Sequence, residues 1–80
     1  MGQNESLRAR REAVVPRGVP IVTSATVASA RGAMLTDAEG TPLIDFAGGI
    51  GVMNVGHCDP NVVRAIQRQA ETLLHTCIHV

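Results

Sequence analysis

"IDFAGGIGVMNVGHCDP", residues 44–60, contains four of the chain's eight glycines: Gly48, Gly49, Gly51 and Gly56. Glycine lets a backbone take positive φ angles and approach other groups closely. The stretch ends in Asp59-Pro60, where aspartate is a good N-cap and proline suits the first helical position. It therefore predicts a glycine-rich loop over residues 47–58 that leads into a helix.

The residues after this loop have the spacing of an amphipathic helix. Polar residues such as Arg64 and Gln67 occupy one side. The other side carries an apolar stripe: Val62, Val63, Ile66, Ala70, Leu73, Leu74 and Cys77. This pattern predicts a helix over residues 59–76, with Cys77 acting as a small hydrophobic residue on the stripe.

Two further elements are predicted before the loop. Residues 1–15 form a helix, with Asn4 or Ser6 as its cap and Pro16 as its stop, because the residue before a proline leaves the helical region. Residues 24–46 form a β-hairpin that turns at residues 37–40. Pro42 restricts the second strand to an edge or a late start, since proline cannot donate a ladder hydrogen bond. The fold class is α+β.

Composition limits what this chain can be. It has 80 residues, 45% of them apolar, but Phe46 is its single aromatic residue, and its net charge is zero. We expect no nucleic-acid or membrane partner, because no basic excess and no apolar run of about 18 residues is present. Two cysteines and no secretory signal indicate reduced thiols and a cytoplasmic location. The small core indicates a segment that docks onto something larger, and we expect the isolated chain to be disordered or to aggregate.

No catalytic constellation is recognisable from spacing alone. A dinucleotide-binding G-x-G-x-x-G beginning at Gly49 fails at Asn54. Asp45 and Asp59 suit a strand end and a helix cap better than a catalytic pair. His57 suits a turn or cap role, because no orienting partner is visible for it. Residues 75–79 form an H-x-C-x-H run, which is not a usual zinc spacing.

Three stretches together resemble a known family. They are R-R-x-x-x-V-P-R-G-V from Arg10, D-x-E-G-x-x-x-I-D-F-A-G-G-I from Asp37, and N-x-G-H-x-x-P from Asn54. The sequence resembles the N-terminal segment of bacterial 4-aminobutyrate aminotransferases, which are class III pyridoxal-phosphate enzymes. The resemblance covers essentially all 80 residues, and the V-P-R-G-V piece narrows it towards the 4-aminobutyrate and 5-aminovalerate branch.

The resemblance implies a segment of a fold type I enzyme. Residues 24–46 would belong to its small domain, residues 47–58 would reach its active site, and residues 59–76 would lead to its large domain. Ile50 matches a position that packs against substrate, and Gly49 and Gly51 beside it are possible loop contacts. The parent enzyme would be a homo-oligomer, a dimer or higher, that transfers the amino group of 4-aminobutyrate or 5-aminovalerate to 2-oxoglutarate.

The same resemblance implies that the chemistry needs a lysine, which forms a Schiff base with pyridoxal 5'-phosphate. This sequence has none, because all seven of its basic residues are arginine. We therefore expect no catalytic, cofactor-binding or metal-binding residue here, and no activity of the 80-residue chain alone. Two alternatives stay open. One is a non-catalytic fragment that docks on a full-length subunit, and the other is a small metal-binding protein that uses His75, Cys77 and His79.

Overall fold

The computed structural model describes residues 2–80 as an α+β segment. Its elements, in chain order, are α1 (Gln3–Val14), β1 (Val27–Arg31), β2 (Met34–Asp37), β3 (Pro42–Ile44), the four-residue helical turn α2 (Gly48–Gly51) and α3 (Pro60–Thr72).

The first helix begins earlier than the sequence predicts. Gly2 is its N-cap and makes no side-chain cap hydrogen bond, so the assignment of Asn4 or Ser6 as the cap is wrong. Asn4 lies within the first turn and uses its amide group to contact the sheet instead. The helix ends at Val14, because Val15 takes an extended conformation before Pro16.

The predicted hairpin is present and gains a third strand. The sheet is antiparallel with the order β1-β2-β3. Met34 pairs with Ile44, and Thr36 pairs with Pro42, which begins the edge strand β3 as expected for proline. Gly40 closes the β2–β3 turn at φ +83°. The prediction of an α+β segment with a hairpin is thereby confirmed, while β1 extends the hairpin to a three-stranded sheet.

The long helix α3 begins where the sequence predicts and ends earlier. The Asp59 carboxylate accepts hydrogen bonds from the amides of Asn61 and Val62, and Pro60 occupies the first helical position. The last helical residue is Thr72, four residues before the predicted end, because Leu73 is extended. Cys77 therefore lies beyond the helix and is exposed, so its assignment to a helical apolar stripe is wrong.

The described residues bury very little of their surface. Asp37 is its single buried residue within positions 2–80, and no apolar residue there is buried. A compact protein of 8.4 kDa exposes about 4,600 Å², whereas this chain exposes 6784 Å². Its radius of gyration is 16.0 Å, against about 11.6 Å for a compact domain of this length. The apolar faces of its elements therefore have no cover within the described chain.

No helix within residues 2–80 is both long enough and apolar enough to span a bilayer.

Candidate active-site loop

The two ends of the glycine-rich loop lie next to each other in the structure. Asp45 stands at its beginning and His57 at its end, and His57 Nε2 lies 2.5 Å from Asp45 Oδ2. Both side chains are largely shielded, with 8% of Asp45 and 19% of His57 exposed. The sequence interpretation of His57 as a residue without an orienting partner is therefore wrong. Twelve residues of chain separate the two, so only the folded loop brings them together.

The Asp45 carboxylate also contacts the first turn of the loop. Its Oδ1 accepts a hydrogen bond of 2.8 Å from the Gly48 amide. The hydrogen bonds from His57 and Gly48 lower the pKa of Asp45 from its ordinary value of 3.8, and outweigh the opposite effect of partial burial. One carboxylate thus binds both the start and the end of the loop.

The turn between β1 and β2 anchors these two residues. Gly32 and His57 exchange two backbone hydrogen bonds of 2.9 Å each, and the Asp45 amide donates to the Ala33 carbonyl at 2.8 Å. Gly56 lies directly against Gly32: a Cβ at Gly56 would be 3.1 Å from both the Cα and the carbonyl oxygen of Gly32. Glycine at this position is required by the close approach of the two backbones and by its φ of +80°.

The tip of the loop is an unusual backbone segment. The four residues of α2 all have positive φ angles, from +55° at Gly48 to +71° at Gly51. Three of them are glycines, which adopt such angles without strain, but the fourth is Ile50 at φ +62° and ψ +64°. A β-branched residue in this region is a genuine outlier, at a cost of about 1–2 kcal/mol.

The predicted site residues lie together at this tip. Ile50 is 89% exposed and points away from the rest of the described chain. Gly49 faces the side chains of Val52 and Met53, whereas Gly51 borders open space. Phe46, the single aromatic residue, is also exposed. The loop therefore presents an exposed apolar surface around Ile50.

A second polar cluster attaches helix α1 to the sheet. The buried Asp37 carboxylate accepts hydrogen bonds from Asn4 Nδ2 at 2.8 Å and from the amides of Glu39 and Thr41. Asn4 Oδ1 accepts a further hydrogen bond from the Thr26 amide. These contacts, led by that of Asn4, lower the pKa of Asp37. The cluster therefore fixes helix α1 against the sheet.

The two histidines and the one cysteine of residues 75–79 do not form a cluster in the structure. Within residues 2–80 no three His, Cys, Asp or Glu side chains are placed to hold a metal ion. His75, Cys77 and His79 are all exposed.

Comparison with known proteins assigns this architecture. Residues 14–80 match the family model described as "Aminotransferase class-III". The chain belongs to the class-III aminotransferases. It is 51% identical over 77 residues to the 5-aminovalerate aminotransferase DavT of Pseudomonas putida, covering 96% of this chain and 18% of that protein. It is 41% identical over 80 residues to the 4-aminobutyrate aminotransferase GabT of Escherichia coli, covering all of this chain and 19% of GabT.

Solved structures give the same result. The ornithine aminotransferase of Toxoplasma gondii, crystallised in the presence of oxidised glutathione, superposes with a TM-score of 0.86 at 29% identity. The match covers 98% of this chain and 18% of that one, which has pyridoxal phosphate at partial occupancy in its active site. The chain thus spans about a fifth of the length of the relatives that it matches.

The assignment of Ile50 and the neighbouring glycines to a substrate site stays a prediction, and sequence reasoning missed the Asp45–His57 pair. The sequence did contain an indication of this contact. Asp45 and His57 flank a segment that has a glycine near each end, Gly48 and Gly56, and glycines allow a loop to turn back on itself. Loop closure of this kind nevertheless depends on Gly32, which lies 24 residues before Gly56 and carries no motif of its own.

Proposed function

We propose that this chain is the N-terminal segment of an ω-aminotransferase that transfers the amino group of 4-aminobutyrate or 5-aminovalerate to 2-oxoglutarate. The identities to DavT and GabT support this choice of donor. Within that enzyme, residues 24–46 belong to the small domain, residues 47–58 form an active-site loop, and residues 59–76 lead to the large domain.

The observation that carries the proposal is the conformation of Ile50. A strained residue persists only where its surroundings fix it, and such residues concentrate at functional sites. Ile50 combines strain with 89% exposure, so no packing within the described chain accounts for its conformation. We assign it to substrate binding: its side chain meets the apolar methylene chain of the ω-amino acid, and Gly49 and Gly51 let the backbone approach.

The residues of this chain do not fit covalent attachment of the cofactor. Pyridoxal phosphate is attached through a lysine amine, and all seven basic residues here are arginine. We therefore propose that the 80-residue chain has no transaminase activity by itself, and that its contribution to the enzyme is a substrate-binding surface rather than a reacting group.

We further propose that the enzyme is a homo-oligomer of the cytoplasm. The exposed apolar side chains of α3 and of the loop, such as Ile66 and Val55, offer surface for a second subunit or for the rest of the same chain. Both cysteines are unpaired, which suits a reducing compartment. The same exposed surface supports a second candidate function, a fragment that docks on a full-length subunit without catalysis.

The intact mass of the protein purified from its native source distinguishes these two functions. A species far heavier than 8.4 kDa that forms a stable cofactor–lysine adduct with borohydride supports the enzyme. That species should then convert 2-oxoglutarate to glutamate with 4-aminobutyrate or 5-aminovalerate as donor. A species of 8.4 kDa without bound cofactor contradicts the proposed enzyme function and favours the fragment that docks on a full-length subunit.

A further inference from the structure

The strained conformation of Ile50 needs an anchor outside the tip of the loop. Hydrogen bonds within the tip run from Gly51 to the Ala47 carbonyl and from Val52 and Met53 to the Gly48 carbonyl. These bonds shape the turn but do not orient it relative to the sheet. In the described chain, the hydrogen bonds of residues 46–56 go to one another or to Asp45. The orientation of the tip therefore depends on the loop ends.

The two loop ends are held by a small group of contacts, which we call the clasp. It consists of the Asp45–His57 side-chain pair and the backbone bridge between His57 and Gly32. The Asp45 carboxylate occupies the central place, because one oxygen binds His57 and the other binds the Gly48 amide at the start of the tip. Removing that carboxylate takes the side-chain contact from His57 and the hydrogen bond from the Gly48 amide together, and leaves only the backbone bridge at the end of the loop.

We propose that Asp45 and His57 are positioning residues that hold the glycine loop so that Ile50 is presented to the substrate. The clasp itself follows from the contacts above, whereas its effect on substrate rests on the proposed function. Neither side chain forms a hydrogen bond with Ile50 in the described chain. The pair acts through the backbone. Because Ile50 would contact the substrate in the ground state and in the transition state alike, loss of the pair should raise KM more than it lowers kcat.

Four variants of the full-length protein test the clasp. Asp45→Ala removes the contacts to both Gly48 and His57, and His57→Ala removes one side-chain contact but keeps the backbone bridge. Asp45→Asn keeps an acceptor for the Gly48 amide and an amide donor for a neutral imidazole, so it should rescue most of the effect. His75→Ala is the matched control, because His75 is an exposed histidine outside the loop.

The first measurement is hydrogen–deuterium exchange of the peptide that covers residues 46–56. We expect exchange to rise about 10-fold or more in Asp45→Ala, the effect of one hydrogen bond to a charged group. His57→Ala should give a smaller rise, and Asp45→Asn and His75→Ala should resemble the wild type. Unchanged exchange in Asp45→Ala would overturn the clasp, whatever the protein's activity.

The second measurement is steady-state kinetics with the ω-amino donor. We expect KM to rise in Asp45→Ala by up to about 10-fold, because KM increases as the fraction of molecules with the loop held in its binding conformation falls, with kcat changed much less. A fall in kcat at constant KM, or faster exchange without any kinetic effect, would overturn the positioning role. If the wild type does not use either ω-amino acid, the proposed function fails, and the exchange data still decide whether the clasp exists.

Discussion

The contact between Gly56 and Gly32 makes a quantitative prediction about how the loop is closed. Gly56→Ala introduces a Cβ 3.1 Å from the Gly32 backbone at a residue with φ +80°. Gly32→Ala serves as the matched variant, since Gly32 also has a positive φ, +57°, but a Cβ there meets nothing within 4 Å. The two substitutions alter the same bridge and share backbone strain, and they differ in the backbone contact.

The two expected effects are different in size. Gly32→Ala should cost about 1–2 kcal/mol, the penalty for an L-residue at positive φ. Gly56→Ala carries the same penalty and also displaces Gly32, which weakens two hydrogen bonds of 2.9 Å to His57. At about 1 kcal/mol for each bond, the total is about 3–4 kcal/mol, or a factor of roughly 100–1,000 in the opening equilibrium of the loop.

The assay is hydrogen exchange at the His57 amide, which donates to the Gly32 carbonyl. We expect exchange to be at least about 100-fold faster in Gly56→Ala and about 10-fold faster in Gly32→Ala, following the free energies above. Gly18→Ala should leave it unchanged, because Gly18 has open space around it and lies outside the loop. Equal effects of Gly56→Ala and Gly32→Ala would refute the reasoning, since strain alone would then explain both.

Three further predictions concern the rest of the segment. Asn4→Ala should loosen helix α1 by about 1–3 kcal/mol, because it removes the Asn4 hydrogen bond from Asp37 Oδ2 and leaves the Thr26 amide without its acceptor. Faster tryptic cleavage within α1 checks this, with Gln3→Ala as the control. Hydrogen bonding lowers the pKa of Asp37, so the contribution of this carboxylate to stability should be constant above pH 3.8, its ordinary pKa, and should vanish as pH falls through the lower folded-state pKa. The protection of α1 from hydrogen exchange, measured as a function of pH, tests this, and a loss of protection already at neutral pH would contradict it. The isolated 80-residue chain should show no cooperative heat-absorption peak in calorimetry, because it buries no apolar residue in its described part; a sharp peak for the monomer would disprove this.

Local chemistry explains which elements could be predicted from the sequence. Asp59 and Pro60 specify the start of α3 through their own side chains, and Gly40 specifies the β2–β3 turn through its positive φ. The end of α3 was mispredicted because Leu73, Leu74 and Cys77 continue the apolar spacing beyond the last helical residue. The spacing of apolar residues indicates which side chains favour burial. It does not distinguish a helix from an extended segment whose apolar side chains pack against other parts of a protein.

The polar contacts that organise the segment could not be predicted, because each joins residues that are distant in sequence. Asn4 meets Asp37 across 33 residues, and Asp45 meets His57 across 12. Asparagine near the start of a helix is typical of an N-cap. Only the folded structure shows that the Asn4 side chain instead forms hydrogen bonds with Asp37 and with the Thr26 amide. Because no apolar residue is buried within positions 2–80, these two clusters and the hydrogen bonds of the sheet hold the elements of the segment together. A substitution at Asp37 or Asp45 should therefore disturb the packing of the helices and strands of this segment more than the loss of one exposed apolar side chain on α3. The apolar side chains of α3 are not buried against the rest of the described chain.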